Sequence, residues 1–285
     1  MLNKILKTSS PFLLSFVLGS CSIAGTWVYE RLDNYLADYF KGFANFSKEQ
    51  NKEIDRIAKS YLDWFTETEL PDIKILLEDL KNLNYKTPEE SITSAYEAGE
   101  DIFQRTNQYF EKPIIRFSKS LSNQQISEIE SHFQKLSEER EERRRKDSEN
   151  YLDEIYENYV SGFDRIGISL RDDQEATLKL MLNRYVPLRE EWSLLQNEWV
   201  EKFIQLLYMN DAYAYETDMS LFLRSFEEIG DENFREKSDA NQTLAIDIII
   251  YVLSSSDTKQ IKSFQRSMDI YLNSINRILS KRSVN

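Results

Sequence analysis

"LSNQQISEIESHFQKLSEEREERRRKDSEN", residues 121–150, opens on a helix start and ends in a run with no apolar side chain. Ser122 stands three residues before Gln125, the spacing of a capping box. In that arrangement the serine oxygen accepts from the amide at the third helical position, and the glutamine reaches back to the serine amide. Leu121, just ahead, is placed to act as a staple. Behind the cap, Ile126, Ile129, Phe133 and Leu136 recur at helical spacing, so one face is apolar. The segment reads as a long capped helix whose second half is charged.

The same device recurs along the chain. "FSKEQ" (46–50) repeats the serine–glutamine spacing with Ser47 and Gln50, "LRDDQ" (170–174) carries Gln174, and Asp257 precedes Gln260 by three. Arg171 stands where the third start would carry Ser or Thr, which weakens that cap. "KTPEE" (86–90) offers Thr87 as a cap, Pro88 at the first helical position and Glu90 at the third. Apolar residues keep the helical period after these starts, as in Ile54, Ile57, Tyr61 and Phe65. Longer seams run from Leu188 through Trp192, Leu195, Trp199 and Phe203 to Leu206, and from Ile261 to Ile278. Pro71 should open a new helix; Pro113 and Pro187 should kink or break theirs. "LAIDIIIYVL" (244–253) is β-branched and continuous, but its capped surroundings make it a buried helix. Only seven glycines and five prolines punctuate the chain. The expected fold is all-α, an irregular multi-helix bundle with one long charged helix.

Residues 137–150 would span about 21 Å of helix without a core to rest on. Glu139–Arg143, Glu141–Arg145 and Glu142–Lys146 are favourable pairs four apart, with the acid leading. The segment is the expected domain boundary, a charged helical bridge between an N-terminal lobe (21–136) and a C-terminal lobe (151–285). Its cluster Arg143, Arg144, Arg145 and Lys146 is either a solvated, self-paired face or a contact for an anion or a partner.

The charge balance, 36 basic against 49 acidic residues, argues against nucleic-acid binding by phosphate neutralisation. His132 is the sole histidine and Cys21 the sole cysteine, so zinc and copper sites are not expected and no cofactor or metal is called for. His132 reads as a polar-edge residue beside the Ile126–Phe133 seam. No nucleophile elbow or glycine-rich phosphate loop occurs. Paired carboxylates are the one catalytic option left open, and no pair stands out.

The first twenty residues carry Lys4 and Lys7, no acid, and the apolar run Phe12–Leu18. This is the layout of a secretory signal, too short to span a bilayer. Leu18-Gly19-Ser20-Cys21 resembles a bacterial lipobox. The resemblance implies cleavage between Ser20 and Cys21 and acylation of Cys21, which anchors the chain through its lipid. An uncleaved membrane anchor and an ordinary buried cysteine are the competing readings. Ser22, rather than Asp, after the cysteine favours the outer membrane, with the helical part facing the periplasm.

The ordered string from Cys21 resembles a family of bacterial lipoproteins defined by a domain of unknown function. The pieces that carry it are the lipobox, "YERLDNYLADYF" before "FSKEQ", "LDWFTETELPDIKILLEDL", "EEREERRRK", "GISLRDDQEATL" and "PLREEWSLLQNEWVEKFIQLL". The family implies a helical envelope lipoprotein and supplies no functional residue except the lipidated cysteine. A looser resemblance, carried by Phe46-Ser47…Gln50 and Leu121-Ser122…Gln125, is to small helical periplasmic stress chaperones. The expected function is therefore a lipid-anchored envelope module, non-enzymatic, that binds or scaffolds another protein. The alternatives are a chaperone-like holdase with a concave apolar face and a carboxylate-pair glycan hydrolase with a deep acid-lined cleft.

Overall fold

The computed structural model describes residues 29–84, 86–147, 151–225 and 230–282. The expected signal peptide, with Ser20 and Cys21, lies outside the described residues, and so do residues 148–150 of the charged run. Among the described residues every regular element is helical, as the caps and scarce glycines predict. In chain order these are α1 (Leu32–Lys41), α2 (Lys48–Trp64), a π-helical turn (Phe65–Glu69), α3 (Leu70–Lys81), α4 (Glu89–Tyr109), α5 (Glu111–Ser118) and α6 (Asn123–Asp147). There follow α7 (Tyr151–Arg165), α8 (Asp172–Leu182), α9 (Arg189–Leu207), α10 (Ala212–Arg224), α11 (Glu232–Ser255) and α12 (Thr258–Arg282).

Two apolar cores organise these helices, and each draws on both sides of the 137–150 run. The larger gathers Ile73 and Leu77 of α3 and Ile92 and Ile102 of α4. To these it adds Tyr159 of α7, Leu178 of α8, Ile248 of α11, and Met268 and Ile275 of α12. The smaller joins Ile126 and Ile129 of α6 to Ile204 of α9 and to Met219 and Phe222 of α10. Phe46 connects it to a patch where α1 packs on α2 through Ala37, Ile54 and Ala58. The expected lobes 21–136 and 151–285 are therefore not the units into which the core divides. Periodicity marks which face of a helix is buried, but it does not say against which other helix.

The proline expectations hold at Pro113 and Pro187 and change at Pro71. Helix α4 ends four residues before Pro113, and the chain is non-helical from Val186 to Leu188 around Pro187. At Pro71 no separate helix begins; α2, the π turn and α3 form one continuous helical run. Leu70 N–H donates to the Phe65 carbonyl, five residues back, so the extra residue is absorbed just before the proline. Thr87 also departs from expectation. It does not cap α4, because its Oγ1 accepts from Asn84 N–H at 2.8 Å.

The four capping glutamines meet in pairs. Gln50 Nε2 donates to Gln125 Oε1 at 3.1 Å, and Gln125 Nε2 donates back to Gln50 Oε1 at 2.7 Å. Each oxygen also accepts from its own cap residue, Ser47 N–H at 2.8 Å and Ser122 N–H at 3.0 Å. Each NH₂ group also reaches a backbone carbonyl beside the other cap, Ser120 for Gln50 and Asn45 for Gln125. One amide thus caps its own helix and clasps the start of another. The second clasp, between α8 and α12, is buried. Gln260 Nε2 donates to Gln174 Oε1 at 2.8 Å and to the Ser169 carbonyl at 2.8 Å. Arginine has no acceptor, so at Arg171 only the glutamine half of the box forms, with Arg171 N–H donating to Gln174 Oε1 at 3.0 Å.

Candidate functional site

Helices α3 and α4 leave an open groove of about 700 Å³ between them. Leu76, Leu80 and Leu83 line it from the α3 side, and Ser94, Ala95, Ala98 and Ile102 from α4. The serine and alanines are short, so α4 leaves room over the α3 leucines. Ile75 stands at the α3 lip, 58 % exposed although α3 has a core face to offer it. Asp72, Asp79, Glu90 and Asp101 also line the groove, giving it an acidic rim.

Arg105, which also lines the groove, ties α4 to the π turn. Glu69, the last residue of the turn, has no exposed surface, and a buried carboxylate needs a partner. Arg105 of α4 supplies it, with Nε at 2.9 Å and 3.1 Å from the two oxygens and Nη2 at 2.8 Å from Oε2. Arg105 Nη2 also donates to Asp72 Oδ2 at 3.0 Å, on the groove rim. In the turn itself Thr66 is buried, donating to the Leu62 carbonyl at 2.5 Å and pairing with Tyr29 Oη at 2.7 Å. Arg105→Ala strips the partner from a buried charge. Because Arg105 is itself partly exposed, the expected loss is about 2 kcal/mol rather than the full value for a buried pair. Urea unfolding checks it, and Glu69→Met/Arg105→Ala is expected to recover part of the loss.

The arginine-rich end of α6 lies along α9. Ser137 Oγ donates to Asn197 Oδ1 at 2.9 Å, and Arg140 Nη1 to Gln196 Oε1 at 2.6 Å. Of the expected pairs, Glu141–Arg145 stands at 3.9 Å, whereas Arg143 Nε donates to the Glu139 carbonyl at 3.0 Å. Arg143 and Arg145 are exposed; Arg144 is turned inward with its Nε buried. The Lys146 side chain lies outside the described residues. The run from 143 to 146 is therefore not one surface. Arg140, which belongs with Arg144, was overlooked in the sequence; the signal available was two arginines four apart on the Phe133–Ser137 face.

His132 lies at the polar edge of the smaller core, its ring centroid 4.2 Å from that of Phe43. Burial, and then the nearby Lys135 charge, hold its pKa below the ordinary range. Among the carboxylates, burial raises Glu100, with Asp101 and Glu97 adding to the effect while the Tyr96 hydroxyl and Gln242 oppose it as donors. Glu100 turns to Gln242 of α11, not to the groove. No group of side chains among the described residues is arranged to hold a metal ion, and no helix among them is long and apolar enough to cross a membrane. No family model matches the chain, and the comparisons with curated proteins and with solved structures give no match.

Proposed function

We propose that the chain is a lipid-anchored protein of the bacterial cell envelope, tethered through Cys21, whose helical part is a non-catalytic module that binds another protein through the α3–α4 groove. The groove carries the reading. It is lined by Leu76, Leu80, Leu83, Ala98 and Ile102, and it keeps Ile75 in solvent at its lip. Exposing an isoleucine forgoes about 1.5–3 kcal/mol of burial, an arrangement that suits a surface covered by a partner. An apolar strip at the centre with polar groups at the edge is also how protein interfaces are built. The acids along the groove favour a segment that brings lysine or arginine to the rim, such as an amphipathic helix with one basic face.

Two measurements test the two halves separately. A clickable fatty acid is expected to label the wild-type chain and not Cys21→Ala; absence of label in both removes the anchor. A photo-crosslinking residue at position 75 is expected to trap one discrete partner in intact cells, whereas one at Leu194, exposed on α9, is not. Ile75→Asp is expected to weaken the partner complex at least about tenfold while changing stability by under about 0.5 kcal/mol. Equal trapping at both positions removes the groove from the reading.

A further inference from the structure

Phe133, Ser137, Arg140 and Arg144 follow one another on a single face of α6, and the first three meet Phe203, Asn197 and Gln196 of α9. Arg144 continues that stripe by one turn. Arg140 is half-buried and uses two donors, Nε to the Leu136 carbonyl at 3.0 Å and Nη1 to Gln196. The Nε of Arg144 is buried and meets no acceptor. Among the described residues no carboxylate lies within 4.0 Å of either guanidinium.

That lack is notable in a chain with 49 acids against 36 bases. Helix α9 carries Glu190, Glu191, Glu198 and Glu201, yet at this level it presents the neutral amides Gln196 and Asn197. The acids of α6 nearest the pair, Glu138, Glu139, Glu141 and Glu142, are exposed, and the Asp147 side chain lies outside the described residues. Burial lowers the affinity of Arg140 for its proton, and the Arg144 and Arg143 charges lower it further. Two like charges one helical turn apart, partly removed from water and with no carboxylate in reach among the described side chains, are destabilising. Unneutralised cost of this kind gathers where a ligand supplies the missing charge.

We propose that Arg140 and Arg144 form a binding site for a phosphoryl group. A single carboxylate has two oxygens to offer, whereas the several oxygens of a phosphate accept at once from the N–H groups that two neighbouring guanidinium groups leave unused. Gln196 holds Arg140 in place from α9, and Arg143, exposed and bonded to its own helix, lies outside the site. The inference is independent of the α3–α4 groove.

The test uses the full chain at low ionic strength with inorganic phosphate as the probe, followed by calorimetry and phosphorus NMR. Arg140→Gln and Arg144→Gln are each expected to weaken phosphate binding at least about tenfold, and Arg143→Gln to leave it unchanged. Without phosphate, Arg144→Gln is expected to melt no lower than the wild type, which separates a lost site from a lost fold. Flotation with phosphatidylglycerol against phosphatidylcholine vesicles identifies the source. Vesicle binding that depends on Arg140 and Arg144 makes the ligand a lipid headgroup, and binding of free phosphate alone makes it a soluble phosphate compound. Equal phosphate binding by the double variant Arg140→Gln/Arg144→Gln, or no binding of either probe, overturns the proposal.

Discussion

Gly167→Ala is expected to lower the free energy of unfolding by about 3–5 kcal/mol. Gly167 ends α7 with φ of 85°, in the left-handed region. Its N–H donates to the Asp164 carbonyl at 2.9 Å, and Ile168 N–H reaches back to the Phe163 carbonyl at 2.9 Å. These are the two bonds of a Schellman motif. The motif turns the chain so that Ile168 is fully buried in the larger core beside Phe163. A β-carbon on Gly167 adds the left-handed penalty of about 1–2 kcal/mol. It also meets Ser267 Oγ at 2.5 Å and the Ser263 carbonyl oxygen at 2.8 Å. The serine hydroxyl can swing aside, but the carbonyl belongs to the backbone of α12 and yields only if the helix moves. Gly42→Ala provides the contrast, because Gly42 has φ of −72° and its β-carbon would stand 3.3 Å from the nearest oxygen. That change is expected to stay within about 1 kcal/mol. Denaturant unfolding of both variants decides it, and equal losses would mean that the approach of α7 to α12 is not what limits residue 167.

Gln260→Ala is expected to cost about 3–4 kcal/mol, and Gln50→Ala only about 1 kcal/mol, although both glutamines occupy the same position in the same capping pattern. Gln260 Oε1 accepts from Asp257 N–H at 3.1 Å and from Arg171 Nη1 at 2.6 Å, while its Nε2 supplies Gln174 and the Ser169 carbonyl. Truncation takes the Ser169 carbonyl and the Asp257 N–H from their partner and removes one of the two donors to the oxygen of Gln174, which has no exposed surface. Stranded buried polar groups cost about 1–3 kcal/mol each. In the α2–α6 clasp the caps Ser47 and Ser122 are exposed, so water replaces whatever Gln50 gives up. A double-mutant cycle on Gln174 and Gln260 is expected to show strong coupling. Additive losses there would reduce the buried clasp to two independent caps.

Much of the fold was legible because its signals are local. Ser47, Ser122 and Asp257 announce helix starts, since a cap and its glutamine lie three residues apart and need nothing else from the chain. The periodic faces of α6, α9 and α12 were readable for the same reason, and so was the helical state of residues 244–253. Thr87 misled because an equally local acceptor role, toward Asn84, competed with the cap. Pro71 misled because a π turn can absorb a residue ahead of a proline, which no spacing rule reveals. Of the site residues, the 143–146 run was visible as charge, but its division into exposed Arg143 and Arg145 and inward Arg144 was not. That division depends on how α6 packs in the folded chain.

The sequence alone determines the all-helical class, where most helices begin and which of their faces are apolar, because caps and periodicity act within four or five residues. Tertiary structure decides which helices share a core and which glutamines clasp one another across 75 and 86 residues. It also decides that Ile75 is left at the lip of a groove and that Arg140 faces Gln196 in place of an acid. These are choices among helix faces that look equivalent in the sequence, and they are settled by the packing of elements far apart in the chain.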